Sequence, residues 1–120
     1  MAHAGPERRK YPRISGRFIV SYRIAEEEDG IDISQTRNAS LGGILMTTNK
    51  KFEPGVKLIL QIRFPFDPEP ITITGKVISS REITKDLIYD TAVEFLSVDE
   101  RHKKVISDTI EYYLKRGNKV

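Results

Sequence analysis

The stretch Phe18-Ile19-Val20-Ser21-Tyr22-Arg23-Ile24 decides how this chain reads. Phe18, Val20, Tyr22 and Ile24 fall at every second position, the period of a strand that buries one face and wets the other. Working outward, Glu26-Glu27-Glu28-Asp29-Gly30 is a charged turn, and Ile31-Asp32-Ile33-Ser34 resumes the alternation. Gly43 to Thr48 reads as a further strand. Lys57 to Phe64 follows, with Leu58, Leu60, Ile62 and Phe64 on one side. Pro65, Pro68 and Pro70 end that run, because proline cannot donate to a ladder. Ile71 to Ser80 and Leu87 to Phe95 complete the set around a polar hairpin. About six short strands punctuated by turns predict a mostly β fold, a six-stranded antiparallel barrel.

The last segment has a different period. Val105, Ile106, Thr109, Ile110, Tyr113 and Leu114 recur at helical spacing, with Lys and Glu between them. Ser97 with Glu100 three residues on forms a capping box at its start, and Gly117 ends it. A C-terminal amphipathic α-helix packed on the barrel is the expected arrangement. The chain is thereby divided into a flexible basic arm over residues 1–13, one barrel-and-helix domain over residues 14–116, and a frayed tail over residues 117–120.

Composition narrows the function. The 120 residues include no cysteine, which removes disulfides, thiolate metal sites and a cysteine nucleophile together. Apolar runs are a handful of residues, far short of the roughly 20 of a membrane span, and no secretory signal is present, so a cytoplasmic protein is expected. His3 and His102 are too far apart to converge on a metal without other ligands. The acidic run Glu26 to Asp29 lacks the spaced oxygen ligands of a calcium loop and reads as a solvated hairpin tip. Neither a phosphate-binding Walker loop nor a nucleophile elbow occurs. The chain reads as a binder, not an enzyme, with no metal and no cofactor.

The net charge of +3 is unevenly spread. Arg8, Arg9, Lys10, Arg13, Arg17 and Arg23 stand against Glu7 alone in the first 23 residues, a local charge of +5 that leaves the remainder at −2. Within this arm, Arg9 and Arg13 form Arg-x-x-x-Arg, a spacing that a solvated basic tail would also produce. Further on, Asn38-Ala39-Ser40-Leu41-Gly42-Gly43 is an Asn-x-Ser-x-x-Gly. That pattern suits a polar turn whose short side chains cap the backbone. It also suits a ligand site: arginine forks match phosphate oxygens and the O6/N7 edge of guanine, and stack on flat rings. Asn38 and Ser40 are short enough to read a base edge or ribose, and Gly43 is free to take positive φ and admit a ligand close to the backbone. A guanine nucleotide with several phosphates fits this inventory better than a simple anion does.

The order Arg9-x-x-x-Arg13, then Asn38-x-Ser40-x-x-Gly43, then Val93-Glu94-Phe95 closing a late strand resembles the PilZ domain family of bacterial cyclic di-GMP receptors. The resemblance runs from Arg8 through the terminal helix. It implies a six-stranded barrel with an adjoining helix and no catalysis. By position, it implies that Arg9 and Arg13 grip the phosphates and guanines while Asn38, Ser40 and Gly43 line the opposite side. Arg8 occupies the position that influences whether one ligand or a stacked pair binds, and an arginine there favours the pair. The sequence departs from the family pattern twice: Asn38 replaces the commoner aspartate, and Ala92 stands where glycine is frequent.

The expected mechanism is coupled ordering, in which the arm closes over the ligand at the barrel rim and a partner protein reads the new surface. That effector, in motility, secretion, polysaccharide or transcription machinery, is not identified by the sequence, and a single domain is expected to act on it in trans. Two alternatives belong to other classes. One is a small barrel that holds single-stranded nucleic acid, although such modules place aromatic platforms among their basic residues and the arm has only Tyr11. The other is a PilZ-like protein adaptor that binds no nucleotide.

Overall fold

Seven strands and one helix, given by a computed structural model that describes residues 11–28 and 30–117, follow the order β1 (Ile14–Ser15), β2 (Ile19–Ile24), β3 (Asp32–Ala39), β4 (Gly43–Thr48), β5 (Lys57–Arg63), β6 (Ile71–Thr84), β7 (Ile88–Ser97) and α1 (Glu100–Lys115). All pairings are antiparallel, in the order β3-β2-β5-β6-β7-β4, and a β3–β4 pairing closes the barrel. The six-stranded barrel expected from the alternation is present. β1 is an additional two-residue strand on the same edge of β3 as β2, with Ile14 opposite Ala39 and Ser15 opposite Asn38.

β3 makes closure possible by changing partners along its length. Asp32–Gln35 pair with β2, whereas Thr36, Asn38 and Ala39 pair with β4. A bulge between Thr36 and Asn38 marks the exchange, where an extra residue, Arg37, raises the local twist and bends the strand. Thr36 staples the adjoining chain: its buried hydroxyl accepts from the Phe18 backbone N–H at 2.9 Å and donates to the Gly16 carbonyl. β3 therefore runs through Ala39, beyond the Ile31–Ser34 expected from alternation, and Asn38 lies on a strand and not in a turn. Ile31 and Ile33 are exposed, and the inward positions of the strand's second half are Thr36 and Ala39.

The alternating residues of β2 and β5 meet inside, with Val20, Leu58, Leu60 and Ile62 fully buried. Burial of such side chains is worth about 1.5–3 kcal/mol each and dominates the stability of the barrel. α1 covers this core through Ile106, Thr109 and Ile110 and lies against β1. An aromatic chain seals the contact, with Phe18 to Phe64 at 5.2 Å and Phe18 to Tyr113 edge-on at 5.7 Å.

The helix start differs from the expected capping box. Asp99 is the N-cap, its carboxylate accepting from the backbone N–H groups of Arg101 and His102, while Ser97 is still paired in β7. The ladder holds the chain extended through Ser97, so the cap falls two residues later, on a carboxylate that also faces the positive helix end. At the other end Gly117 adopts φ +75 just past the last turn, as a helix terminator does.

Candidate functional site

A cleft of about 630 Å³ lies beside the β3–β4 connection, within the range of small-molecule sites. Its walls are Tyr11 and Arg13 before β1, the Ser40–Gly43 turn, the Ala92–Ser97 end of β7, Ile78 of β6, and Val98 and Lys103 at the helix start. Two long cations, Arg13 and Lys103, thus share the lining of this cleft with the apolar Leu41, Ile78 and Leu96. Lys103 also meets Glu100 at 3.2 Å on the helix surface.

The turn is built by its own polar groups. The Ser40 N–H donates to the Gly43 carbonyl at 2.9 Å, and the Gly42 N–H donates to Ser40 Oγ at 3.1 Å. The Gly42 carbonyl in turn accepts from the Phe95 N–H at 2.8 Å, tying the turn to β7. Ser40 therefore shapes the rim whatever else it touches. Gly43 is required for a reason other than positive φ, which it does not adopt. A Cβ there would lie 2.2 Å from the Val93 carbonyl oxygen, so β4 can approach β7 only if residue 43 has no side chain.

The structure brings Arg13, Ser40 and Gly43 to one cleft. Asn38 does not line it, but stands two residues before Ser40, one strand over from Leu45, which in turn faces Ala92 on the cleft wall. Its side chain is buried, and among the described residues nothing hydrogen-bonds to it. A buried amide left in that state costs about 1–3 kcal/mol, an expense that a ligand bond would offset. Arg8 and Arg9, with most of the proposed arm, lie outside the described residues, as do residues 118–120 of the tail.

Several wall residues carry no signal in the sequence. Ile78 is the extra residue of a bulge between Val77 and Ser79, which turns it outward at 49% exposure. Leu96 is one step past the Val-Glu-Phe pattern, and Lys103 arrives because the helix starts directly after β7 ends beside the cleft. Of the aromatics near the basic segment, Phe18 and Tyr22 are in the core, and Tyr11 is the exposed ring at the cleft. That inventory offers little to a stacking platform for single-stranded nucleic acid. Among the described residues no three His, Asp or Glu side chains group as metal ligands, and no helix is long and apolar enough to cross a membrane.

A family model described as the PilZ domain matches residues 7–112. No curated protein sequence matches the chain. Among solved structures, the chain is similar to the inhibitor of motility MotI/DgrA of Bacillus subtilis, with 21% identity and a TM-score of 0.72 over 92% of this chain and 51% of that one. It is also similar to the PilZ domain of YcgR from Escherichia coli, solved with c-di-GMP, with 16% identity and a TM-score of 0.68 over 92% of this chain and 94% of that one. K. pneumonia MrkH in its c-di-GMP complex matches with 17% identity and a TM-score of 0.69, over 91% of this chain and 53% of that one. The chain thus spans about half the length of MotI and MrkH and nearly all of the YcgR domain.

Proposed function

Because the chain belongs to the PilZ domain family, we propose that it is a receptor for cyclic di-GMP that passes the presence of the ligand to a partner protein. The observation that carries the reading is the buried Asn38 amide, without a hydrogen-bond partner among the described residues, beside a cleft shared by Arg13, Ser40 and Gly43. YcgR and MrkH, both similar in fold, were each solved with this nucleotide, which supports the choice of ligand.

In this reading the ligand lies in the cleft with a base edge toward Asn38 and the rim. Arg13 meets its phosphates from the segment before β1, and Arg9, four residues earlier, closes from the other side. Such contacts are charge-assisted and planar, and they offset the entropy lost when the arm closes on the ligand. Arg8 stacks on a second guanine, so the site takes a stacked pair of ligands. No bond is made or broken. The output is the changed surface over the cleft, read in the cytoplasm by an effector in motility, secretion, polysaccharide or transcription machinery. The barrel and helix of residues 14–116 supply the scaffold, with residues 117–120 as a tail.

Isothermal titration of the full chain with cyclic di-GMP tests the proposal. Binding at physiological salt, abolished or greatly weakened by Arg9→Ala and by Arg13→Ala, is expected. A full chain that takes up no ligand overturns the reading. If the ligand binds equally to both variants, the arginine clamp is wrong though the ligand is right.

A further inference from the structure

The outer wall of the barrel carries a second feature continuous with the cleft. Register places three cross-strand rows side by side on this wall. Gly43, Glu94 and Lys76 form the first, and Asn38, Leu45, Ala92 and Ser79 the second. Thr47, Asp90 and Arg81 form the third. The cleft reaches the first two rows at Gly43, Glu94 and Ala92, which line it.

The third row holds an unusual carboxylate. Asp90 sits mid-sheet with its side chain only 9% exposed, a position that a lone charge does not tolerate. Arg37 Nη1 donates to Asp90 Oδ1 at 3.3 Å, and Arg81 Nη2 stands 3.9 Å from Oδ2. Arg37 is the bulge residue of β3, next to Asn38, and β4 lies between β3 and β7. To reach Asp90 its side chain must cross the outer face of β4. The guanidinium is thereby pinned about two residues, roughly 7 Å, along the strand from the Leu45–Ala92 row. The Arg37 side chain remains 52% exposed, and among the described residues Asp90 is its only polar partner, so most of its five donors are left for a further contact.

We infer that Arg37 is a ligand-contacting residue that engages a guanine base of the nucleotide as it extends out of the cleft, and that Asp90 is the positioning residue that holds Arg37 across β4. The inference rests on the cyclic di-GMP reading above and adds a cation that comes from the barrel instead of the arm. A held guanidinium presents a flat face to a ring and a fork to an O6/N7 edge, with less rotamer freedom to lose than an unanchored side chain.

Titration of cyclic di-GMP into the full chain and into Arg37→Ala, Arg37→Lys, Asp90→Asn and the Arg37→Ala/Asp90→Asn double variant decides the matter. Arg37→Ala is expected to weaken binding roughly 5- to 100-fold, as loss of a bidentate contact does. Arg37→Lys stays weak, because an ammonium has neither plane nor fork. Asp90→Asn weakens binding in the parent and has no further effect in the Arg37→Ala background, a non-additivity that a merely structural aspartate would not show. If Asp90→Asn melts below the assay temperature, the variants of half-exposed Arg37 still decide. Parent-like affinity of Arg37→Ala, with Arg13→Ala still deficient, overturns the inference and leaves the receptor reading intact. Full recovery in Arg37→Lys would mean that charge alone is sensed, and the base contact falls. If the parent chain itself fails to bind, the receptor reading falls and takes this inference with it.

Discussion

The ring of Tyr11 lies against the backbone of Gly42, so close that a Cβ on residue 42 would stand 3.0 Å from Tyr11 Cδ2. The contact joins Tyr11, two residues before Arg13, to the turn that forms the cleft rim. It lies at the point where the chain carrying Arg13 meets the site, and the lack of a side chain at position 42 lets the ring come this close.

Gly42→Val should therefore push Tyr11 off the rim and misplace the segment that follows it. We expect a several-fold loss of cyclic di-GMP affinity, matched by Tyr11→Ala. Tyr11 is 43% exposed, so the melting temperature of Tyr11→Ala without ligand should stay within a few degrees of the parent. Calorimetric titration together with thermal melting checks both halves.

Gly43→Ala should behave differently from Gly42→Val. Its Cβ would meet a backbone carbonyl oxygen at 2.2 Å, and a ladder cannot give as a ring can. Separation of β4 from β7 is expected to cost more than about 2 kcal/mol, a loss visible in denaturant unfolding before any ligand is added. Unchanged unfolding would show that the two strands can part freely at this point.

Thr36→Val keeps the shape of a fully buried residue and removes its oxygen. The Phe18 N–H and the Gly16 carbonyl both lose a partner at the β1–β2 link, for an expected destabilisation of about 1–3 kcal/mol. Amide exchange should quicken at Phe18 well before it does at Leu60. Equal protection at both sites in the variant would contradict the staple.

Alkaline stability is expected to follow Tyr22. Burial, with the charge of Asp32 opposite it adding to the effect, pushes its phenol up to about 12 from an ordinary value of 10. The folded state then holds the phenolic proton more tightly than the unfolded chain does. The contribution is complete below pH 10 and is lost as the pH rises from about 10 through 12, by about 2–3 kcal/mol for a shift of this size. Far-ultraviolet dichroism against pH should show the fall, and Tyr22→Phe should flatten it.

Much of this molecule is legible as local pattern. Alternation at Phe18 to Ile24 and at Leu58 to Phe64 reports the inner face because period 2 is a property of each strand alone. The same holds for the bounds of β4 and for the apolar stripe of α1. β3 resists such reading: its isoleucines at 31 and 33 face solvent, and its change of partner at the Arg37 bulge depends on where β2 and β4 lie. β1 is two residues long and has no pattern of its own; it exists through Ala39 and Asn38.

The candidate site divides along the same line. Ser40 and Gly43 share one turn and so stay together from spacing alone, whereas Arg13 of the other motif reaches that turn only through the β1–β3 pairing. Arg37 and Asp90, 53 positions apart, meet through the register of β3, β4 and β7, as do Gly43 and the Val93 carbonyl. The sequence by itself determined which stretches extend, which one coils and which motif residues are available. Barrel closure decided the reason glycine is needed at 43, the exposure of Ile78 and the arginine held over β4. Those are consequences of long-range strand pairing, and no periodicity within a single segment encodes which distant residue a neighbouring strand will bring alongside it.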